Sequence, residues 1–479
     1  MLINEILSME AEELLNYKFS EHGFLIWPLA RAHVLNQIYL KHTNSSISTA
    51  RSEKLKFYEK ISYLYNTIKG NPFEYSNYKI VFLLSQIACS IKKEGKYFNR
   101  LHDYFALEYP ASTLIIEKSA RKKYTLPRYF DNVALEDYMN IKPHLKSMFK
   151  RPKSKDVDTI KLFIKCLATL FKDYLDCLDL HKISNKLLKH AVTHALLYQN
   201  YIELFKKLKP TITFIYLASG GRKKIFAIRA AKELGIKVGE FQHGVITLAH
   251  PYYNYGECIF KSTEYKKYLP DYLLTWGAFW NNNMIHPSKK IIIGNPHFTI
   301  KHGEYSNIKK TKTDEKKVVL VISQGTITDN LVDITKGLSK ILYSKKYEII
   351  FRLHPGEVPF IDRYKDLYSL SNVKISKNGD IYDLLFHCDY IVACYSTVIF
   401  EGLGFRKPVF VLDNYWSRIC IPTVIGKWFK NVDELYDLII STDPEPSGIN
   451  INTEQYFASS WQKNYRDFIE NEIKTNNNN

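Results

Sequence analysis

Phe351-Arg352-Leu353-His354-Pro355-Gly356-Glu357 and Cys394-Tyr395-Ser396-Thr397-Val398-Ile399-Phe400-Glu401-Gly402 each close an apolar run in small and polar residues. The first run, Tyr347 to Leu353, breaks at His354-Pro355, because the residue before a proline is pushed out of the helical region; it reads as a strand ending in a loop. The second, Tyr390 to Cys394, leads through Ser396 and Thr397 into an apolar helical segment closed by Gly404 and then into another buried strand, Pro408 to Leu412. That is a βαβ unit with hydroxyls at its turn. Free N–H groups and the dipole at such a helix start favour a phosphate, so a nucleotide mono- or diphosphate is the expected ligand. The plainer reading has Ser396 capping a helix and His354 ending a strand.

Taken together, these residues resemble the C-terminal domain of GT-B glycosyltransferases of bacterial surface polysaccharide (capsule and lipopolysaccharide) biosynthesis. The pattern is similar to that of bacterial sialyltransferases, capsular Kdo transferases and CDP-glycerol glycerophosphotransferases. The resemblance spans residues 210 to 415. It implies that His354, Pro355, Ser396 and Thr397 hold the donor's phosphate and ribose, with Glu401 beside them. It also implies a cytidine nucleotide (CMP or CDP) first and a UDP-sugar second.

The chain has 479 residues, enough for two domains with separate cores. A content of 67 Lys and Arg against 49 Asp and Glu, net +18, points to an anionic partner. No apolar run is long enough to span a bilayer, and the acidic start, Met1 to Leu15, lacks the basic region of a signal peptide; a cytoplasmic protein is expected, peripheral on the inner face of the membrane if the basic charge serves a lipid. Seven scattered cysteines without a Cys-x-x-Cys pair read as reduced core residues.

In chain order, residues 1 to 75 read as helices interrupted by Gly23-Phe24-Leu25-Ile26-Trp27-Pro28-Leu29, with Arg31 noted because a Trp-Pro-Leu-x-Arg segment occurs in some surface-carbohydrate proteins. Strands follow at Lys79 to Leu84 and near Ser112 to Ile116, at a spacing that implies an open α/β sheet. A helical insertion is expected over residues 141–210. There, Leu162, Phe163, Cys166, Leu167, Leu170 and Phe171 recur at helical spacing behind the basic run Lys146 to Lys155, which reads either as a solvated face or as a surface for anionic lipid or a lipid-linked acceptor. Asp156-Val157-Asp158 has the spacing of an acidic metal pair but falls at a helix start, where Asp is a common cap, so neither a metal ligand nor a cofactor is expected.

A strand from Thr211 to Leu217 ends in Ser219-Gly220-Gly221, a helix runs from Lys223 to Leu234, and the strand Lys237 to Phe241 delivers Gln242-His243-Gly244. The C-terminal edge of an open parallel sheet is where ligands bind. Gln-His-Gly after a strand also resembles the surface-polysaccharide transferases, as does Gly294-Asn295-Pro296, which in them closes the N-terminal domain. Lys301 to Lys317 reads as the linker. Val318 to Ile322 then starts a second sheet and ends in Ser323-Gln324-Gly325-Thr326, whose backbone can approach a donor.

The expected fold is therefore α/β and GT-B-like: two Rossmann-like domains facing a cleft, with residues 1–310 on the acceptor side and 311–479 binding the donor nucleotide. The expected activity is metal-independent glycosyl transfer from a nucleotide-sugar donor to a surface-glycan or lipid-linked acceptor. Donor contacts are assigned to Gln324, Gly325, His354, Pro355, Ser396, Thr397 and Glu401, and acceptor-side positions to Gln242, Gly244 and Glu257. His243 and His354 are the expected catalytic residues. Sialyltransferases carry their catalytic acid in an acidic-acidic-Gly motif that this chain lacks, which leaves His243 as first choice for the base and Glu240 or Glu257 as substitutes. A UDP-sugar 2-epimerase is the alternative enzyme. A nucleic-acid partner is not expected, because the lysines are spread along the chain without a binding motif.

Overall fold

A computed structural model of the chain describes residues 2–42, 55–89, 91–248, 250–308, 316–343, 346–445 and 452–477. Its strands are β1 (Ile80–Ser85), β2 (Ile91–Lys93), β3 (Lys96–Phe98), β4 (Thr113–Lys118), β5 (Val133–Leu135), β6 (Ile212–Ile215), β7 (Lys237–Phe241), β8 (Tyr272–Thr275), β9 (Lys289–Ile292), β10 (Lys317–Ile322), β11 (Tyr347–Arg352), β12 (Val373–Ser376), β13 (Tyr390–Ala393), β14 (Val409–Leu412) and β15 (Lys427–Phe429). They form a seven-stranded sheet in the order β5-β4-β1-β6-β7-β8-β9, a six-stranded sheet in the order β12-β11-β10-β13-β14-β15, and the separate hairpin β2-β3. All pairings within these two sheets are parallel. Strands such as Ile80-Val81-Phe82-Leu83 and Tyr390-Ile391-Val392-Ala393 are buried on both faces. That is why they read as unbroken apolar runs instead of alternating ones. This is the GT-B-like two-sheet α/β architecture that the sequence leads one to expect.

In each sheet the chain reverses its direction of travel at one place. The first sheet builds outward from β1 through β4 to β5 and then resumes at β6 on the other side of β1; the second builds from β10 to β11 and β12 and resumes at β13. Loops leaving two neighbouring strands there part in opposite directions and open a crevice at the strands' C-terminal ends. In the first sheet the crevice lies between the ends of β1 and β6. In the second it lies between β10, followed by Gln324-Gly325, and β13, followed by Tyr395-Ser396-Thr397.

The segment between β5 and β6 is helical, with Ile141–Phe149, Ser154–Leu170 and Leu180–Leu208 as its α-helices. Phe163, Leu167 and Phe171 are buried, as the periodicity predicts, whereas Leu162 faces solvent. The helix carrying this pattern ends at Leu170, and a 3-10 turn, Lys172–Cys177, follows it. Asp156 caps nothing of its own helix; its carboxylate accepts from Ser20 N at 2.7 Å and ties the helix to the N-terminal segment.

Two expectations need correction. The proposed linker begins with an α-helix, Pro296–Ser306, started by the Asn295 side chain, which accepts from Phe298 N; the domain boundary at 310/311 lies outside the described residues. The terminal helix, Trp461–Asn477, follows the second sheet in sequence but packs on the first: Trp461, Tyr465 and Phe468 share one core with Phe82, Phe105, Phe214 and Phe241. The reason is aromatic burial. Each such ring gains about 1.5–3 kcal/mol on leaving water, and the face of the seven-stranded sheet that carries Phe82, Phe214 and Phe241 offers the matching rings.

Candidate active site

In the second sheet, Glu357 organises the turns. Its carboxylate is buried and accepts from the hydroxyls of Ser323, Tyr364 and, at 2.9 Å, Thr328. One acid thereby joins the end of β10, the loop after β11 and the helix Thr328–Leu342. Ser323 Oγ in turn accepts from His354 N at 3.3 Å. His354 sits at the exposed lip of this loop, and its Nδ1 accepts from Gly356 N at 3.0 Å. A neutral imidazole that accepts at Nδ1 carries its proton on Nε2, so the ring presents an N–H outward. Partial desolvation holds its pKa below the usual value.

Ser396 is the N-cap of the helix Thr397–Gly404, accepting from Val398 N at 3.3 Å. The capping role is therefore real, and the hydroxyl proton remains available as a donor. The Tyr395 hydroxyl bonds Thr326 across the crevice. Because β11 and β13 flank β10, the His354 and Ser396 turns stand about 10 Å apart, two strand spacings. Gln324 and Gly325 lie between them, half-buried. Pro355 is exposed beside His354. Glu401 is buried one turn into the helix, accepts from Tyr382 OH at 3.2 Å, and has its pKa raised by burial.

In the first sheet, β7 ends in Gln242-His243-Gly244. Gln242 is a brace: its Oε1 accepts from Trp276 N at 2.9 Å and its Nε2 donates to Gly244 O at 2.9 Å, which shapes the turn around His243. Gly244 has open space on its side-chain face. His243 Nδ1 lies 3.2 Å from the Tyr253 hydroxyl, and that hydroxyl lies 2.7 Å from Glu240 Oε1. Glu240 is buried and also accepts from Ser219 N at 2.7 Å and Ser219 Oγ at 2.5 Å. Tyr253 has one proton. While Glu240 is ionised, the tyrosine gives that proton to the carboxylate, so its oxygen accepts from His243 Nδ1–H and the free lone pair of His243 is on Nε2. Burial pushes Glu240 up to about 6 and His243 down to about 4, so the pair is carboxylate and neutral imidazole near pH 7.

The loop carrying Tyr253 is held by Arg31. This guanidinium is buried, bonds Glu10 through Nε at 2.5 Å and NH2 at 2.9 Å, and donates to the carbonyls of Pro251 and Asn254 at 2.5 and 2.6 Å. Arg31 is thus a fixture of the loop and faces no ligand. Glu257, expected on the acceptor side, is solvent-facing and paired with Lys261 at 2.7 Å, because its helix starts where Gly256 N is bound by Glu10. It stands outside the His243 cluster.

Arg100 joins the two halves. It follows the tight hairpin β2–β3, whose turn residues Glu94 and Gly95 both have positive φ, as a two-residue turn requires. Asn99 N is fixed by Asp103 at 2.8 Å, and Asp103 is held by Arg128 and, through it, by Glu117. Arg100 itself has no hydrogen-bond or ion-pair partner among the described residues. Its charge nevertheless acts on Tyr216, whose ring lies 5.4 Å from that of His243, and on His354, Arg352 and Glu401 of the second sheet. Arg100 thus lies within electrostatic reach of residues at the C-terminal edges of both sheets, the Glu401 carboxylate among them. In the sequence Ser219 stands out only as part of a glycine turn, and Arg100 and Tyr253 do not stand out, because no local motif marks either residue.

No family model and no curated protein matches the chain. Among solved structures, it is similar to the UDP-GlcNAc 2-epimerase from Methanocaldococcus jannaschii (12% identity, 82% of this chain and 99% of that one, TM-score 0.47). It is also similar to the wall teichoic acid polymerase TagF (13% identity, 89% and 100%, TM-score 0.46) and to the glycosyltransferase VinC in complex with dTDP (11% identity, 83% and 100%, TM-score 0.41).

Proposed function

We propose that the chain is a glycosyltransferase that moves a sugar from a nucleotide-activated donor to a surface-glycan or lipid-linked acceptor. The observation that carries this reading is the pairing, across one cleft, of a neutral histidine backed by a buried acid with a phosphate-type turn. The second sheet's half, from residue 317 to 429, takes the donor, and the first sheet's half, with the terminal helix returned to it, takes the acceptor.

In this reading His243 Nε2 removes the proton of an acceptor hydroxyl as its oxygen attacks the sugar's anomeric carbon, and the bond from that carbon to the donor's phosphate oxygen breaks. The charge gained by His243 is shared through Tyr253 with the Glu240 carboxylate, the arrangement of a base oriented and stabilised by a third group. The charge gained by the leaving phosphate meets the N–H groups at the start of the helix Thr397–Gly404, the hydroxyls of Ser396 and Thr397, the Nε2–H of His354 and the guanidinium of Arg100. The donor's base is assigned to cytidine first. A thermal-shift series with CMP, CDP, UDP and GDP tests the donor site, since a ligand that binds only the folded state raises the unfolding temperature. A shift with at least one nucleotide, abolished in His354→Ala, is expected. No shift with any of the four ends the reading, and turnover of UDP-N-acetylhexosamine to an epimer would replace it with the epimerase.

A further inference from the structure

A cavity of about 1320 Å³ opens away from the donor turns, between the helices Ile141–Phe149 and Leu180–Leu208 at the C-terminal edge of the seven-stranded sheet. Its wall carries Lys118, Lys122, Lys186, Lys189, Arg222 and Lys223. One acid, Asp137, lies among them, and its oxygens already accept from Ser119 N at 2.7 Å and Tyr63 OH at 3.2 Å. None of the six cations has an acidic partner among the described residues: Lys186 lies against the ring of His33 at 3.1 Å, and Arg222 donates to Tyr252 OH at 3.1 Å. His190 on the same wall has a buried Nδ1 without a hydrogen-bond partner. Burial first, and then neighbouring cations, lower the pKa values of Lys223 and Lys186, and the nearby carboxylates Glu136 and Asp179 only partly offset this.

The rim is apolar. Helix Ile141–Phe149 leaves Leu145, Met148 and Phe149 exposed, the last at 85%, while helix Phe57–Lys69, which lends Tyr63 to the cavity, exposes Phe57, Ile61, Leu64 and Ile68 along one stripe. Apolar stripes of this kind, next to unneutralised lysines, mark a surface that meets an anionic amphiphile. A soluble nucleotide would need no such apolar helices, and a recess between two helices does not suit an extended nucleic acid. The cavity also communicates with the base: Arg222 bonds Tyr252, whose ring lies 5.2 Å from His250, whose ring lies 4.9 Å from that of Tyr253.

We propose that this cavity holds the phosphate headgroup of an anionic membrane lipid while the two apolar helices rest in the bilayer surface. That the held lipid is the acceptor rests on the transfer reading; the lipid binding does not.

The experiment is co-sedimentation of the full chain with phosphatidylcholine vesicles, with and without phosphatidic acid, at physiological salt. Binding is expected only with phosphatidic acid. Replacing Lys118, Lys186 and Lys223 together by Gln should weaken it about 100-fold, three lysines' worth of surface attraction. Met148→Ser with Phe149→Ser should weaken binding to the same vesicles without altering the cation set. The nucleotide-induced thermal shift of each variant reports folding and the donor site independently, so loss of vesicle binding with that shift retained supports the cavity. Equal binding to vesicles without phosphatidic acid, full affinity in the triple variant, or binding of inorganic phosphate or random RNA through these lysines in place of vesicles overturns the proposal.

Discussion

The Tyr253 hydroxyl stands 3.2 Å from Nδ1 of His243, and this single contact decides which face of the imidazole is basic. With the tyrosine proton committed to Glu240, the histidine proton belongs on Nδ1 and the lone pair points from Nε2 into the cleft. Ser219 and Glu240 lock the arrangement from behind.

Tyr253→Phe removes the hydroxyl and keeps the ring packing against His250 and His286. We expect kcat to fall on the order of 100-fold with nucleotide affinity unchanged, because the imidazole loses both its tautomer preference and its link to Glu240. His243→Ala should cost more, about 100- to 10,000-fold, again with donor binding kept. Donor binding that fails in either variant, measured by calorimetry, would reverse the roles given to the two sheets.

Within the His243 cluster, Glu240 is the acid that burial raises to about 6. Above that value it is a carboxylate and can stabilise the His243 imidazolium; below it the support is lost. The pH profile of kcat should therefore show an acidic limb near pH 6, and Glu240→Gln should lower the plateau and erase that limb. A limb retained in Glu240→Gln assigns it to another group.

Ser396→Ala with Thr397→Val takes two hydroxyls from the start of the helix. Each hydrogen bond is worth about 0.5–1.5 kcal/mol net, so nucleotide affinity should drop about 10-fold. Loss of the Ser396 cap adds about 1 kcal/mol of destabilisation, read separately by thermal unfolding. Nucleotide affinity identical to that of the parent would leave Ser396 with its cap alone.

Stability should fall in mild acid. Burial depresses His102 to about 3, His243 to about 4 and His250 to about 3, so these rings stay neutral in the folded chain while the unfolded chain protonates them below about pH 6.5. The folded state then binds fewer protons, and each ring withdraws about 1.4 kcal/mol per pH unit as the pH falls from 6.5 toward 4. Glu240 and Asp103, both raised to about 6 by burial in the folded state, act oppositely below pH 6, but His33, His190 and His297, also held low by burial, act with the three rings above. Urea unfolding midpoints should decline steadily from pH 7 to pH 5; constant midpoints would mean that the rings reach water.

Arg31→Met leaves the buried Glu10 carboxylate without its cation and frees the carbonyls of Pro251 and Asn254. A cost of about 3–5 kcal/mol is expected from breaking one side of a buried pair. The double change Arg31→Met with Glu10→Gln should recover part of it. Additive losses in urea unfolding would show that the two act separately.

The sequence by itself determined the two-sheet α/β class and most of the central strands, but not the short edge strands β5, β12 and β15. Parallel strands buried on both faces are apolar throughout, so β1, β13 and β14 are visible as runs, and His243, His354 and Ser396 are visible as the polar residues that follow strands. Local rules also gave the N-cap at Ser396 and the helical segment after residue 141. What needed the tertiary structure were relationships between residues distant in sequence. Arg31 reads as a motif residue and is a buried clamp on Glu10; Glu257 reads as a cleft acid and is a surface partner of Lys261; Gln242 reads as a ligand and is a brace. Arg100 has no motif at all and becomes notable only because the hairpin before it projects an unpaired charge between two sheets. The terminal helix lies on the first sheet because its aromatic rings match those of Phe105, Phe214 and Phe241, a fit of shapes that no local pattern in residues 461–477 encodes. Strand and turn identity is a property of neighbouring residues, whereas protonation, ion pairing and domain membership depend on what the fold brings within a few ångströms, and only the packed chain decides that.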